Sequence, residues 1–221
     1  MKLYSGPLSM FGAKAEIALH EKGIDFDLVM VPFEMKTLYQ PKHPDVARIN
    51  PKQQVPVLID GDLEIFDSTQ IFEYLETIKP TPALWPSEPG AKARARLLEH
   101  VMDEIYFPPI VQLMRLAQTP DDSAAVTARA AAGAVYDDVE RTLGARTWLA
   151  GDDFSYADIT LYMAQLFGER WGVPMTGVHP RLRAWRDRMS ARPPVAKVAG
   201  AMSRYLLSQG RPLPPFLQLM V

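Results

Sequence analysis

The stretch from Gln54 to Leu75 reads QVPVLIDGDLEIFDSTQIFEYL and decides the fold. Two apolar runs, residues 55–59 and 63–66, flank the turn Asp60-Gly61-Asp62. A DG pair between such runs supplies the positive φ of a tight turn, so the stretch predicts a β-hairpin. Asp67-Ser68-Thr69-Gln70 then offers a helix cap with a Gln three residues on, followed by apolar residues at helical spacing. A ββα unit follows from this pattern.

The residues before this stretch predict a βαβ unit. Lys2 to Ser5 is a short strand candidate, and a helical pattern runs from about Met10 to Lys22, where Gly23 ends it. The alternation from Phe26 to Val31 predicts a second strand, which we expect to be at least partly covered on both faces. Residues 1–79 therefore form an α/β domain with the order βαβ-ββα.

The residues after this domain predict a second, all-α domain. Residues 80–89 are rich in proline and form the linker, and residues 90–221 carry long helical patterns. Pro108-Pro109 should kink or interrupt one of these helices, because proline removes a helical hydrogen bond. Ser155 and Asp158 have capping-box spacing and mark another helix start. The fold class is α/β followed by all-α.

Composition excludes several classes of function. The net charge of -2 over 221 residues gives no field that attracts nucleic acid. No signal-peptide pattern and no long apolar run is present, so we expect a cytoplasmic protein without a membrane partner. Cysteine is absent, which removes disulfides and thiol nucleophiles. The four histidines stand apart, none at the i, i+4 spacing of a helical metal pair, so we expect no metal.

Three places in the first domain could bind a small ligand. Ser9 stands at a helix start, where a hydroxyl and backbone N–H groups can hold an anion. Val55-Pro56 precedes a strand and could form a cis bond, and Asp67-Ser68 begins another helix. Each of the three also has a purely structural reading, as a helix cap or a strand boundary. The residues alone leave both readings open.

Four motifs in order nevertheless resemble one family over essentially the whole chain. They are LYSGPLS at residues 3–9, NPKQQVPVL at 50–58, FDSTQIFEYL at 66–75 and GDDFSYADI at 151–159. With them the sequence resembles the cytosolic glutathione transferases. The resemblance implies a thioredoxin-like N-terminal domain, a helical C-terminal domain, glutathione as co-substrate, a role in detoxification and a homodimer.

The resemblance also implies roles for particular residues. Ser9 would donate a hydrogen bond to the glutathione sulfur. The tripeptide itself would be bound by Gln54, by the Val55 backbone before a cis Pro56, and by Asp67 and Ser68 at its γ-glutamyl end. The electrophile pocket would lie between the domains and include Met10, Phe11, Met102 and Tyr106.

Some features of the sequence differ from those of particular glutathione transferase subclasses and so limit the subclass to which it can be similar. Tyr4 lies inside the strand, so we expect a core residue rather than the thiol-activating tyrosine of other classes. The absence of cysteine excludes members that use their own thiol, and a Ser-Ser-Cys motif is missing. A serine-type, theta-like or unassigned bacterial-type member fits best.

The expected reaction is conjugation of the glutathione thiolate to small hydrophobic electrophiles. Two alternatives remain: a non-catalytic binding or scaffold protein of the same family, and a glutathione-dependent peroxidase or dehalogenase on the same fold.

Overall fold

A computed structural model describes residues 1–220 of the chain, with side chains through residue 218. The chain divides into two compact units. The first consists of residues 1–83 together with the segment from residue 193 onward, and the second spans Leu84–Arg192. The expected combination of a thioredoxin-like α/β domain with an all-helical domain is confirmed.

The first unit is built around a mixed sheet of four strands. Strand β1 is Lys2–Ser5, β2 is Asp27–Met30, β3 is Val57–Asp60 and β4 is Leu63–Phe66, in the order β2-β1-β3-β4. β2 pairs parallel to β1, whereas β3 lies antiparallel to both β1 and β4. The predicted hairpin is confirmed, with Gly61 at φ +62° in its turn.

Helices complete the first unit. They are α1 (Met10–Glu21), α2 (Pro44–Ile49), α3 (Ser68–Ile78) and α9 (Pro193–Ser208), the last of which packs against α1. The sequence-based boundaries placed this last helix in the helical domain, but in the structure it belongs to the compact unit that carries the sheet. The reason is tertiary packing against α1, which helical periodicity does not report.

The expectation that β2 is at least partly covered on both faces is met to a limited extent: Val29 packs against the buried cluster around Tyr4, whereas the opposite face is largely open. Leu28 and Met30 are exposed. β2 pairs with β1 alone, which makes it an edge strand. A period-2 alternation of apolar residues describes a strand but does not say where in the sheet that strand lies.

The second unit is helical. Its elements are α4 (Pro89–Val101), a π-helical turn (Met102–Tyr106), α5 (Phe107–Arg115), α6 (Ser123–Leu143), α7 (Tyr156–Arg170) and α8 (Pro180–Ser190). The predicted interruption near Pro108-Pro109 is confirmed. Both prolines lie in the first turn of α5, and the regular helix gives way to the wider π turn just before them.

The core of the second unit is dense around Tyr106. Its hydroxyl pairs with that of Tyr136, and both rings are fully buried. Gly168 of α7 lies directly beneath them, because a Cβ there would stand 1.8 Å from the Tyr106 hydroxyl oxygen. Burial raises the pKa of both phenols above its usual value. The predicted capping box is also present, since the Ser155 backbone N–H donates to Asp158 Oδ2.

Candidate functional site

The three predicted ligand-binding places meet at one end of the sheet. Tyr4 of β1 stands opposite Val57 of β3, and Val57 stands opposite Phe66 of β4. Ser5, Pro56 and Asp67 are the sequence neighbours of Tyr4, Val57 and Phe66. Each of them lies one residue further toward the same end of the sheet. The register therefore brings the β1–α1 turn, the Val55–Pro56 bond and the start of α3 to the same edge.

Ser9 is the N-cap of α1. Its Oγ accepts a hydrogen bond from the Gly12 N–H at 3.0 Å, and its own N–H donates to the Gly6 carbonyl at 3.1 Å. The side chain is buried, with the residue 7% exposed. Because Oγ acts as acceptor toward the helix, the hydroxyl proton is left to donate to a ligand at the positive end of α1.

Gly12 is needed for this arrangement. A Cβ at this position would lie 2.1 Å from Ser5 Oγ and 3.1 Å from Ser9 Oγ. Any larger residue would therefore push the first turn of α1 away from the end of β1. The glycine fixes the position of the Ser9 hydroxyl relative to the sheet.

Val55–Pro56 is a cis peptide bond, as the family resemblance implies. The turn before it is held by Asn50, whose Nδ2 donates to the Gln54 carbonyl at 2.6 Å and whose Oδ1 accepts from the Lys52 N–H at 2.9 Å. Gln54 itself is exposed and Pro56 is buried. Asn50 was not among the predicted site residues, although it opens the NPKQQVPVL motif, which was the available signal.

Asp67 and Ser68 begin α3. Asp67 has φ +76°, and its Oδ1 accepts hydrogen bonds from the N–H groups of Thr69 and Gln70 at 3.0 and 3.3 Å. Its Oδ2 has no hydrogen bond within residues 1–220, and the side chain is exposed. Ser68 is buried beside it. One carboxylate oxygen thus caps the helix while the other can meet a ligand ammonium.

The four residues expected to line an electrophile pocket fall in both units. Met10 is buried and Phe11 half-buried at the start of α1, in the first unit. Met102 and Tyr106 are fully buried in the π-helical turn of the second unit. Their common role as a pocket stays a prediction.

Neither a metal centre nor a membrane span is found in the part of the chain that the structure describes. No group of three or more His, Asp or Glu side chains there could hold a metal ion. None of the helices in the same range combines the length and the apolar character needed to cross a bilayer.

Comparison with known proteins agrees with the geometry. The family model for the glutathione S-transferase N-terminal domain matches residues 3–83, and that for the C-terminal domain matches residues 98–193. Together they cover most of the chain.

Individual relatives are similar to this chain over most of its length. The chain is 30% identical to glutathione S-transferase 3 of Zea mays, covering 97% of this chain and 96% of the relative. It is 32% identical to a stringent starvation protein A homolog of Coxiella burnetii, covering 83% and 81%. A glutathione S-transferase from Methylobacterium radiotolerans, solved in complex with glutathione sulfonate, superposes with a TM-score of 0.74 at 28% identity, covering 89% of this chain and 93% of that one. The chain belongs to the glutathione S-transferase family.

Proposed function

We propose that this protein is a glutathione transferase in which Ser9 stabilises the thiolate of bound glutathione for attack on small hydrophobic electrophiles. The observation that carries the proposal is the Ser9 hydroxyl, which accepts from Gly12 N–H and so directs its proton away from the helix. A thiol of pKa about 8.5 is mostly protonated at neutral pH, and each unit of depression requires about 1.4 kcal/mol of preference for the thiolate. A hydroxyl donor at a helix N-terminus supplies energy of this order.

The rest of the tripeptide meets the neighbouring elements of the same sheet edge. The Val55 backbone pairs with the cysteinyl part in the manner of an added strand. Ser68, at the positive end of α3, holds the γ-glutamyl carboxylate, and Asp67 Oδ2 receives the ammonium. Gln54, exposed on the turn held by Asn50, reaches the backbone of the ligand. Catalysis then consists of thiolate stabilisation and proximity.

The electrophile is held next to Ser9 by Met10 and Phe11, which follow it at the start of α1. Thioethers and aromatic rings suit apolar substrates of varied shape, because flexible side chains adapt to them. Clearance of such electrophiles in the cytoplasm is the detoxification role that this reaction serves.

Ultraviolet titration of bound glutathione tests the proposal. The thiolate absorbance is followed against pH in wild type, in Ser9→Ala and in Ser5→Ala as the matched control. Ser5 carries the same hydroxyl on the same edge, but its Oγ is buried against Gly12 without a hydrogen-bond partner among the described residues. We expect a depressed thiol pKa in wild type and Ser5→Ala, and a return toward the free value in Ser9→Ala with glutathione still bound. An unshifted pKa in wild type would contradict the proposal.

A second candidate is a binding or scaffold protein of the same family. The similarity to a stringent starvation protein A homolog favours it, because that relative is not named as a transferase. The intact Ser9 and Asp67 arrangements favour the enzyme instead. Incubation with glutathione and 1-chloro-2,4-dinitrobenzene separates the two, since an enzyme forms the thioether and a scaffold does not. Peroxide reduction on the same fold would yield glutathione disulfide in place of the thioether.

The homodimer implied by the family is part of the proposal, and an apolar groove in the second unit supports it. The groove, of about 340 Å³, lies along α4 and α6 and is lined by Leu97, Val101 and Val139 among others. Leu97 is 61% exposed and Ile105, at the same groove, 54%. Arg94, Arg146 and Asp138 border the groove with both signs of charge, which suits a self-complementary contact with a second copy.

Light scattering after size exclusion tests this assembly. Leu97→Glu should convert the dimer to a monomer. Val126→Glu is the matched control, because Val126 is an exposed apolar residue of α6 that does not line the groove. A dimer that persists in Leu97→Glu would contradict the assignment of this face.

A further inference from the structure

A cavity of about 220 Å³ lies within the first unit, where α9 packs beside α1. Most of its wall is apolar, contributed by Ala13 of α1, Met30 of β2, and Val198 and Met202 of α9. Ser9, Asp67 and the residues expected to hold the electrophile do not line it. Ser5, Gly6 and Pro7 of the β1–α1 turn also line it, so the cavity adjoins the proposed glutathione site but does not include Ser9 or Asp67.

Glu16 brings a carboxyl group to this apolar cavity. The residue is 5% exposed, yet its carboxylate makes no hydrogen bond and no ion pair with any residue in the range 1–220. Burial is the main cause that raises the pKa of Glu16 to about 7, and the charge of Lys197 opposes the shift. A buried carboxyl group without a hydrogen-bond donor destabilises the folded protein, because buried polar groups are normally hydrogen-bonded.

The neighbouring charged groups do not supply the missing partner. Lys197 of α9 acts on Glu16 only through its field, and it is exposed. His20, one turn along α1, has its pKa lowered by burial and by Lys197, which favours the neutral ring. Tyr205 of α9, which lines the cavity, donates its hydroxyl proton to the Phe33 carbonyl at 3.0 Å, and the nearby charge that acts on this phenol is the negative one of Glu34.

We propose that this cavity binds a small primary amine, whose ammonium group pairs with Glu16 and whose apolar body fills the space between α1 and α9. Size and chemistry both fit this ligand class. A cavity of roughly 150 Å³ lined by apolar side chains accommodates benzene, so the larger cavity has room for one ring with an aminomethyl group. An ammonium provides the charge-assisted donors that the Glu16 carboxylate lacks.

Calorimetric titration with benzylamine tests the site, with benzyl alcohol as the neutral ligand of the same shape. At pH 8, where both Glu16 and the amine are charged, we expect wild type to bind benzylamine more tightly than benzyl alcohol. Glu16→Gln keeps the volume and removes the charge. It should weaken benzylamine binding by about 10- to 100-fold while leaving benzyl alcohol unchanged. Binding of benzylamine to wild type should also weaken from pH 8 to pH 6, as Glu16 becomes protonated.

A second variant locates the site without changing charge. Ala201 is exposed and lines the cavity, so Ala201→Phe should occupy the space and reduce the affinity for both ligands. Equal benzylamine affinity in wild type and Glu16→Gln would overturn the proposal. Two other results would also overturn it: equal affinity of wild type for benzylamine and benzyl alcohol, or no binding of either ligand to wild type. Glutathione affinity, measured on the same variants, should stay at the wild-type value, so a failure here is distinguishable from a failure of the proposed transferase site.

Discussion

The phenolic oxygen of Tyr4 lies 2.6 Å from Oδ2 of Asp45, to which the hydroxyl donates a hydrogen bond. This bond is the main cause that raises the pKa of Tyr4 to about 12, with burial second. The ring packs in a core cluster with Val31, Val46 and Val57. A phenol that already donates its proton to Asp45 is a poor hydrogen-bond donor for a thiolate, in agreement with the proposed role of Ser9.

We therefore predict that Tyr4→Phe leaves the thiol pKa of bound glutathione unchanged. The variant should lose only about 1 kcal/mol of stability, the typical contribution of one hydrogen bond. Urea unfolding measures the stability and the ultraviolet titration measures the thiol. A thiol pKa that rises in Tyr4→Phe as it does in Ser9→Ala would show that the tyrosine takes part in activation.

A second prediction separates the two roles of Asp67. Asn can cap a helix and tolerates a positive φ, so Asp67→Asn should keep the stability of the protein while weakening glutathione binding through loss of the charge. Asp67→Ala loses the cap as well and should unfold at lower urea, by about 1–2 kcal/mol. Calorimetry of glutathione binding together with urea titration checks both variants. Unaltered glutathione affinity in Asp67→Asn would place the ammonium elsewhere.

A third prediction concerns the contact between α7 and the buried tyrosine pair. Gly168→Ala should destabilise the protein by about 1–3 kcal/mol, because the new methyl group meets the Tyr106 hydroxyl. Tyr106→Phe removes that oxygen, so the double variant should be less destabilised than the sum of the two single variants. Additive effects in thermal or urea unfolding would mean that the two side chains are not in contact.

A fourth prediction follows from the pKa of Glu16, in the absence of amine. The pKa is about 7 in the folded protein against a usual 4.5. The protonated form that the fold favours contributes stability fully below pH 4.5, and this contribution is lost as the pH rises through 7. Glu16→Gln should match wild type near pH 4 and exceed it by roughly 3 kcal/mol at pH 8. Equal pH profiles of unfolding for the two proteins would contradict a buried Glu16.

The local features of the fold were predictable and the long-range ones were not. The Asp60-Gly61-Asp62 turn and the Ser155–Asp158 capping box each depend on a few adjacent residues, so their spacing was sufficient. Asp158 also accepts from the Leu149 N–H at 3.0 Å and from Trp185 Nε1 at 2.8 Å. Leu149 and Trp185 belong to other segments of the chain, so the sequence pattern around Asp158 does not predict these hydrogen bonds.

The candidate site shows the same division. Ser9 and Asp67 were recognised as helix caps because a cap is visible in the sequence. That they share one edge with Pro56 follows from the βαβ-ββα order that the sequence predicts, and the strand register agrees with it. The sequence did not indicate that Glu16 is buried, because a glutamate in a helix is usually exposed to solvent. The burial of Glu16 results from packing of α9, which lies about 180 residues further along the chain.

The grouping of α9 with the sheet has a consequence for the order in which the protein matures during translation. Residues 84–192 leave the ribosome before the helix that completes the first unit has been made. The helical unit can therefore fold while the sheet that carries Ser9 still lacks its last neighbour. The part of the protein that is synthesised first is the part that is finished last.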